Sequence, residues 1–166
     1  MSEEKRQFTI TAFAENSPGV LHRLTSTLTR RKINIESLTV SETVETGISR
    51  FTIVVNTSPN LIKTVTKQID RIIEITKAYY SEDQDLVFKE IALIRVASKD
   101  VKAREEIEQK ASDYDSHITY VCDKYVIVEK TGTEDEINSL YRMFESYGVI
   151  GFVRSGRIAL KKDIQI

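Results

Sequence analysis

The chain's only two prolines each follow a serine, and each Ser-Pro pair separates a β-branched stretch from an amphipathic one. A serine can cap a helix through its side-chain oxygen, and proline at the first helical position gives up an amide that would be unpaired anyway. Ser17-Pro18 and Ser58-Pro59 therefore predict two helix starts. Val20, Leu21, Leu24 and Leu28 recur at helical spacing to about Arg31, and Leu61, Val65 and Ile69 follow at four-residue steps. Phe8 to Ala14 reads as a strand. Ile33 to Val40 and Ile48 to Val55 read as a hairpin around a polar turn ending in Gly47, and Ile72 to Tyr79 as a further strand. The order is β-α-β-β-α-β within one short stretch.

Beyond the acidic stretch Ser81 to Asp85 the same order returns. Phe88 to Ala97 is a strand, and Asp100 can cap a helix carrying Val101, Ile107 and Ala111. His117 to Val121 and Tyr125 to Glu129 form a hairpin around Asp123. Thr133-x-x-Glu136 is a capping box ahead of Ile137, Leu140, Tyr141 and Phe144, and Gly148 can end that helix in a left-handed conformation. Val149 to Val153 and Arg157 to Leu160 close the chain as extended segments. The expected fold class is α+β, two tandem ferredoxin-like (βαββαβ) domains with helices on one face of each sheet. The expected division is 1–80, a linker at 81–86, and 87–166. Each unit leaves one sheet face and its edges uncovered, so a dimer is expected.

Net charge is −1, with 24 basic against 25 acidic residues. That balance argues against a general nucleic-acid or anionic-membrane binder, which needs a basic field. A single cysteine, Cys122, excludes an internal disulfide, and with two histidines it is poor material for zinc. The N-terminus lacks the apolar core of a signal peptide, and aliphatic runs are far shorter than the roughly 20 residues of a membrane span. A cytoplasmic protein is expected. Catalytic motifs such as G-x-S-x-G, the P-loop, H-E-x-x-H and C-x-x-C are missing, and His22 and His117 have no partner by spacing. The acidic pairs near helix starts match the helix dipole, as Arg30-Arg31-Lys32 does at a helix end. Arg30, Arg31 and the C-terminal domain are also candidates for meeting a partner chain. Arg154-Ser155-Gly156-Arg157 reads as a solvated connector that could also grip an anion.

The stretch Glu15-Asn16-Ser17-Pro18-Gly19-Val20-Leu21 carries the functional signal. A strand ends and a helix begins there, leaving amides at Gly19, Val20 and Leu21 without helical partners. Such a terminus attracts a carboxylate, and glycine lets it approach. Asn16 adds a polar group, and Asn34, opening the next strand, could point back to the same place. A carboxylate site beside polar contacts for an ammonium suits a free amino acid.

This stretch, followed by Arg30-Arg31-Lys32-Ile33-Asn34-Ile35-Glu36-Ser37-Leu38-Thr39-Val40, resembles the regulatory small subunits of acetolactate synthase (acetohydroxyacid synthase). The N-x-x-G-V-L element is shared by ACT domains generally, whereas the N-I-E-S-L-T-V run is far more specific. Ser49 to Ile53, Lys89 to Ile94, Glu129 to Gly132 and Arg154 to Leu160 are similar to the same family, so the likeness spans residues 7–161. The resemblance implies an N-terminal ACT domain that dimerises and binds valine, leucine or isoleucine at the dimer interface. It implies a regulatory subunit without catalytic residues or a metal of its own, serving branched-chain amino-acid biosynthesis. The partner it implies is a catalytic large subunit that uses thiamine diphosphate, Mg²⁺ and FAD to condense pyruvate with pyruvate or 2-ketobutyrate. Position by position, Asn16, Gly19, Val20 and Leu21 fall on the family's effector loop, with Asn34 and Ile35 on its partner strand, one asparagine from each protomer.

An RNA-recognition module shares the strand order, but Ile48 to Val55 has one aromatic and lacks the stacking signature. A stand-alone amino-acid sensor would need another partner. A small independent enzyme would make acetolactate by itself.

Overall fold

Alternation explains the first sheet. In β1 (Arg6–Glu15) the residues Phe8, Ile10, Ala12 and Ala14 face one way and are buried, matched by Phe51, Ile53 and Val55 of β3 (Ile48–Thr57). The computed structural model describes residues 4–163. Its first six elements are β1, α1 (Val20–Arg30), β2 (Ile35–Glu42), β3, α2 (Pro59–Ile69) and β4 (Ile75–Ser81). The strands pair antiparallel in the order β2-β3-β1-β4. Val20, Leu24 and Leu28 of α1 and Ile62, Val65 and Ile69 of α2 close over the same face. Each such side chain contributes roughly 1.5–3 kcal/mol on burial.

The second set comprises β5 (Leu86–Ala97), α3 (Val101–Asp113), β6 (His117–Val121), β7 (Tyr125–Gly132), α4 (Glu134–Glu145) and β8 (Val149–Arg154). Its sheet runs β6-β7-β5-β8, and β9 (Ile158–Lys161) lies off that path and pairs with β5. Ile94, Val96, Val126 and Val128 form its core with Ile107, Ala111, Leu140 and Phe144. Asp100 caps α3 through Ala103, as its sequence suggests. Val101, placed with the core residues of that helix by spacing, is instead exposed.

Helix α4 begins in the expected capping box. The Thr133 amide donates to Glu136 Oε2 at 2.6 Å, and the Glu136 amide to Thr133 Oγ1 at 3.3 Å. Lys89 Nζ lies 3.2 Å from the same carboxylate. The backbone amide of Thr133, then Lys89, hold the Glu136 carboxyl down at about 2 from an ordinary 4.5. A carboxyl held low adds stability above its unfolded value, and that stability fades as pH falls from about 4.5 toward about 2. Glu136→Gln is expected to flatten the urea midpoint against pH across that window. Thr133→Ala is expected to cost about 1 kcal/mol at pH 7.

The chain divides at other points than the acidic stretch. One unit runs to Phe88 and resumes at Arg157, and the other is Lys89–Gly156. The sequence reading assigned all of 87–166 to the second domain. Arg157 accounts for the difference. It is 2% exposed, pairs with Asp83 at 2.5 Å, reaches Thr9 Oγ1 at 3.0 Å and Gln7 Oε1 at 3.1 Å, and stacks 3.8 Å over Phe88. It is no solvated connector. Arg154 is also engaged, with Glu90 at 3.1 Å and Glu134 at 3.0 Å. Arg50 donates to the Ala159 carbonyl, and Lys161 lies 5.2 Å over the Tyr79 ring. The contacts of Arg157, Arg50 and Lys161 lie on the second face of the first sheet, where Thr9, Thr11, Thr52 and Val54 are buried. Part of the covering expected from a partner thus comes from the chain's own return.

Two local boundaries also shift. Ile72 to Glu74 are a turn rather than strand: the Ile72 amide donates to Ile69 O, the Ile75 amide to Ile72 O, and Ile73 is 97% exposed. The strand can begin only where Ile75 meets Ala14 across β1. The other shift is at the start of α1.

Candidate functional site

Among the described residues three of the four α-helices are capped by a side chain: Ser58 on α2, Asp100 on α3 and Thr133 on α4. On α1 the cap is Gly19, with φ 89° and no side-chain hydrogen bond, instead of the expected Ser17. Pro18 and Gly19 form a turn, and the helix starts at Val20. A left-handed residue at this point favours glycine strongly. The first helical bond runs from the Arg23 amide to the Gly19 carbonyl at 3.0 Å. The amides of Val20, Leu21 and His22 therefore have no helical acceptor and stand at the positive end of the helix.

The loop is held from both sides. The Asn16 amide donates to the Gly47 carbonyl at 2.7 Å, and the Glu15 amide to the Glu74 carbonyl at 2.9 Å. Gly47 (φ 82°) is tied in turn to Glu42 Oε1 at 2.9 Å. The Arg23 guanidinium lies beside Gly19, where a built Cβ would meet Nη1 at 3.2 Å. The same guanidinium makes two bonds to Glu74, at 2.5 and 3.2 Å. Sequence reading passed over both residues. Arg23 stands four positions after Gly19, one helical turn, which could have flagged it; Glu74 is distant in sequence and carries no local signal.

Asn16, Gly19, Val20 and Leu21 are thus gathered at one end of the sheet. Val20 is buried and anchors the helix, while Asn16, Gly19 and Leu21 are exposed. Asn34 and Ile35 are elsewhere. Ile35 pairs with Val55, and Val55 with Phe8, seven positions along β1 from Glu15. At about 3.3 Å per residue that is roughly 23 Å. Within one chain Asn34 cannot point back to the loop.

The remaining candidates for chemistry are bland. His22 is exposed, with Ser26 Oγ 3.5 Å from its ring on the same helix. His117 is exposed, and Cys122 is free and half-buried. Among the described residues no three His, Cys, Asp or Glu side chains are placed to hold a metal, and no helix is long and apolar enough to cross a membrane.

Comparison with known proteins matches two successive stretches of the chain, the second of which runs through Arg157. Residues 10–77 match the model of the AHAS small subunit-like ACT domain, and residues 89–163 that of the small subunit of acetolactate synthase. The acetolactate synthase small subunit of Mycolicibacterium smegmatis is 32% identical, covering 98% of this chain and 95% of its own length. A probable acetolactate synthase small subunit of Archaeoglobus fulgidus is 36% identical, covering 92% and 94%. The crystal structure of the acetolactate synthase small subunit from Thermotoga maritima superposes with a TM-score of 0.87 at 26% identity, covering 96% and 99%.

Proposed function

This chain belongs to the family of acetolactate synthase small subunits, and on that premise we propose that it activates a catalytic acetolactate synthase subunit and makes it sensitive to valine or a related amino acid. The observation that carries the reading is the uncapped start of α1 inside the ACT match. The amides at Val20 and Leu21 take the effector carboxylate, with Arg23 adding positive charge beside Gly19. Asn16 takes a polar group.

The site is completed by a second copy. β2 is an edge strand, and in antiparallel pairing with its own copy the Ile35 end of one lies beside the Glu42 end of the other. Gly47 is bonded to Glu42 and Asn16 to Gly47, so this pairing carries Asn34 and Ile35 of the partner subunit toward the effector loop. The roughly 23 Å separation within one chain supports an interface site over a single-chain site. Ile35 and nearby aliphatics line the side-chain pocket. One methylene in such a pocket changes affinity by only about 1–3 kcal/mol, so valine, leucine and isoleucine compete for it.

Thiamine diphosphate, Mg²⁺ and FAD belong to the cytoplasmic catalytic partner in this reading, as does condensation of pyruvate with pyruvate or 2-ketobutyrate. Feedback follows from linkage: the catalytic subunit favours the effector-free arrangement, the amino acid favours the other, and each weakens the other by a coupling of about 1–3 kcal/mol. Reconstitution tests this. Added to its catalytic subunit, the purified chain is expected to raise acetolactate formation several-fold, and millimolar valine to reverse most of the gain. An unchanged rate on addition contradicts the reading, and acetolactate formed by the chain alone would make it an enzyme.

A further inference from the structure

Helix α1 carries the effector loop at one end and a different feature at the other. Along its exposed face, against the turn between α2 and β4, lie two open clefts of about 620 and 420 Å³ that share Thr27, Arg30 and Ile72. They read as one groove. Arg30, Arg31 and Arg71 line it, and Ile73 stands at its lip, 97% exposed. The one carboxylate among the lining residues, Glu74, is taken by Arg23. Arg31 donates to the neutral Gln68 at 3.3 Å. Arg30 and Arg71 make no ion pair among the described residues. Three guanidiniums without an acid thus face solvent on a chain whose net charge is −1.

Guanidinium forks match carboxylates in two-pronged fashion, and an isolated aliphatic side chain at the rim suits a peptide rather than a small ion. The groove also lies on the path by which an effector would be felt. Arg23 lies beside Gly19 at one side and holds Glu74 at the other, and Glu74 follows Arg71, Ile72 and Ile73 directly in the turn. A ligand that draws Arg23 toward its carboxylate loosens the Glu74 pair and with it the wall of the groove. We propose that this groove docks an acidic segment of the catalytic subunit, its carboxylates on Arg30 and Arg71 and an aliphatic residue on Ile72 and Ile73. The proposal rests on the small-subunit reading above and adds the surface and the chemistry of its partner.

The test uses the full chain and its catalytic subunit, with association followed by sedimentation at several salt concentrations. Arg30→Glu with Arg71→Glu is expected to weaken association at least tenfold and to flatten its salt dependence, because charge at a docking rim acts through encounter. Lys102→Glu with Lys124→Glu, exposed positions in the other unit, is expected to leave association unchanged. The valine-induced rise in melting temperature of the chain alone is expected to survive in both variants, which shows that each is folded. Equal association of the Arg30/Arg71 variant and wild type overturns the proposal while leaving the small-subunit reading intact. So does a thermal shift from inorganic pyrophosphate that the variant loses while still associating, since the groove would then be a small-anion site. Wild type that does not associate at all overturns both.

Discussion

Gly19→Asp is expected to raise the valine concentration for half-inhibition of the reconstituted enzyme more than tenfold while leaving activation in place. Two effects combine. A carboxylate fixed at the start of α1 occupies the amides of Val20 and Leu21 and the Arg23 guanidinium, the groups proposed to hold the effector's carboxylate. It also repels that carboxylate. The substitution itself is bearable. Gly19 has φ 89°, a region that aspartate enters more readily than most residues, and the added Cβ meets only the mobile end of Arg23 at 3.2 Å. Gly19→Ala separates the two effects. It carries the backbone strain of about 1 kcal/mol without the charge, and a rise of a few-fold only is expected. A valine titration in which Gly19→Asp matches wild type would remove the effector from this loop.

Arg157→Ala is expected to cost about 2–3 kcal/mol in the first unit and little in the second. The loss comprises hydrogen bonds from a charged donor to Asp83, Thr9 and Gln7, and the stacking on Phe88. A buried pair of this kind would cost more if Asp83 were also dry; at 41% side-chain exposure it regains water when its partner is removed. Hydrogen exchange followed by mass spectrometry reads the effect locally. Peptides from β1 and β4 are expected to exchange about 30–150-fold faster, the factor that 2–3 kcal/mol implies, and peptides from β7 and α4 to be unaffected. Equal acceleration in both units would contradict the division at Phe88 and Arg157.

Most of the secondary structure was legible because its causes are local. The strands of the first unit announce themselves by alternation, and α2, α3 and α4 by a serine, an aspartate and a threonine whose side chains do cap them. What was misread has causes that composition does not show, most of them distant in sequence. Ser17 looks like a cap as much as Ser58 does, but Gly19 can take the left-handed turn and moves the helix start by two residues. Ile72 and Ile73 have strand-like composition, yet the register across β1 fixes the strand start at Ile75. Arg157 looks like any surface arginine. Its burial depends on Gln7 and Thr9, about 150 positions earlier, and no pattern in sequence links them. Asn16, Gly19, Val20 and Leu21, the loop proposed to hold the effector, come together because they are consecutive or nearly so. That Asn34 and Ile35 lie at the opposite end of the sheet follows from strand register, which sequence spacing does not show.

The central claim is that the start of α1 binds a branched-chain amino acid, and thermal unfolding of the purified chain tests it directly. A ligand bound only by the folded protein at 100 times its dissociation constant adds about 2.7 kcal/mol, a shift of several degrees for a domain of this size. Valine, leucine or isoleucine at millimolar concentration is expected to raise the melting temperature by that order, lysine to leave it unchanged, and Gly19→Asp to lose the response. A melting temperature that none of the three branched-chain amino acids moves, or that lysine moves equally, would contradict the claim.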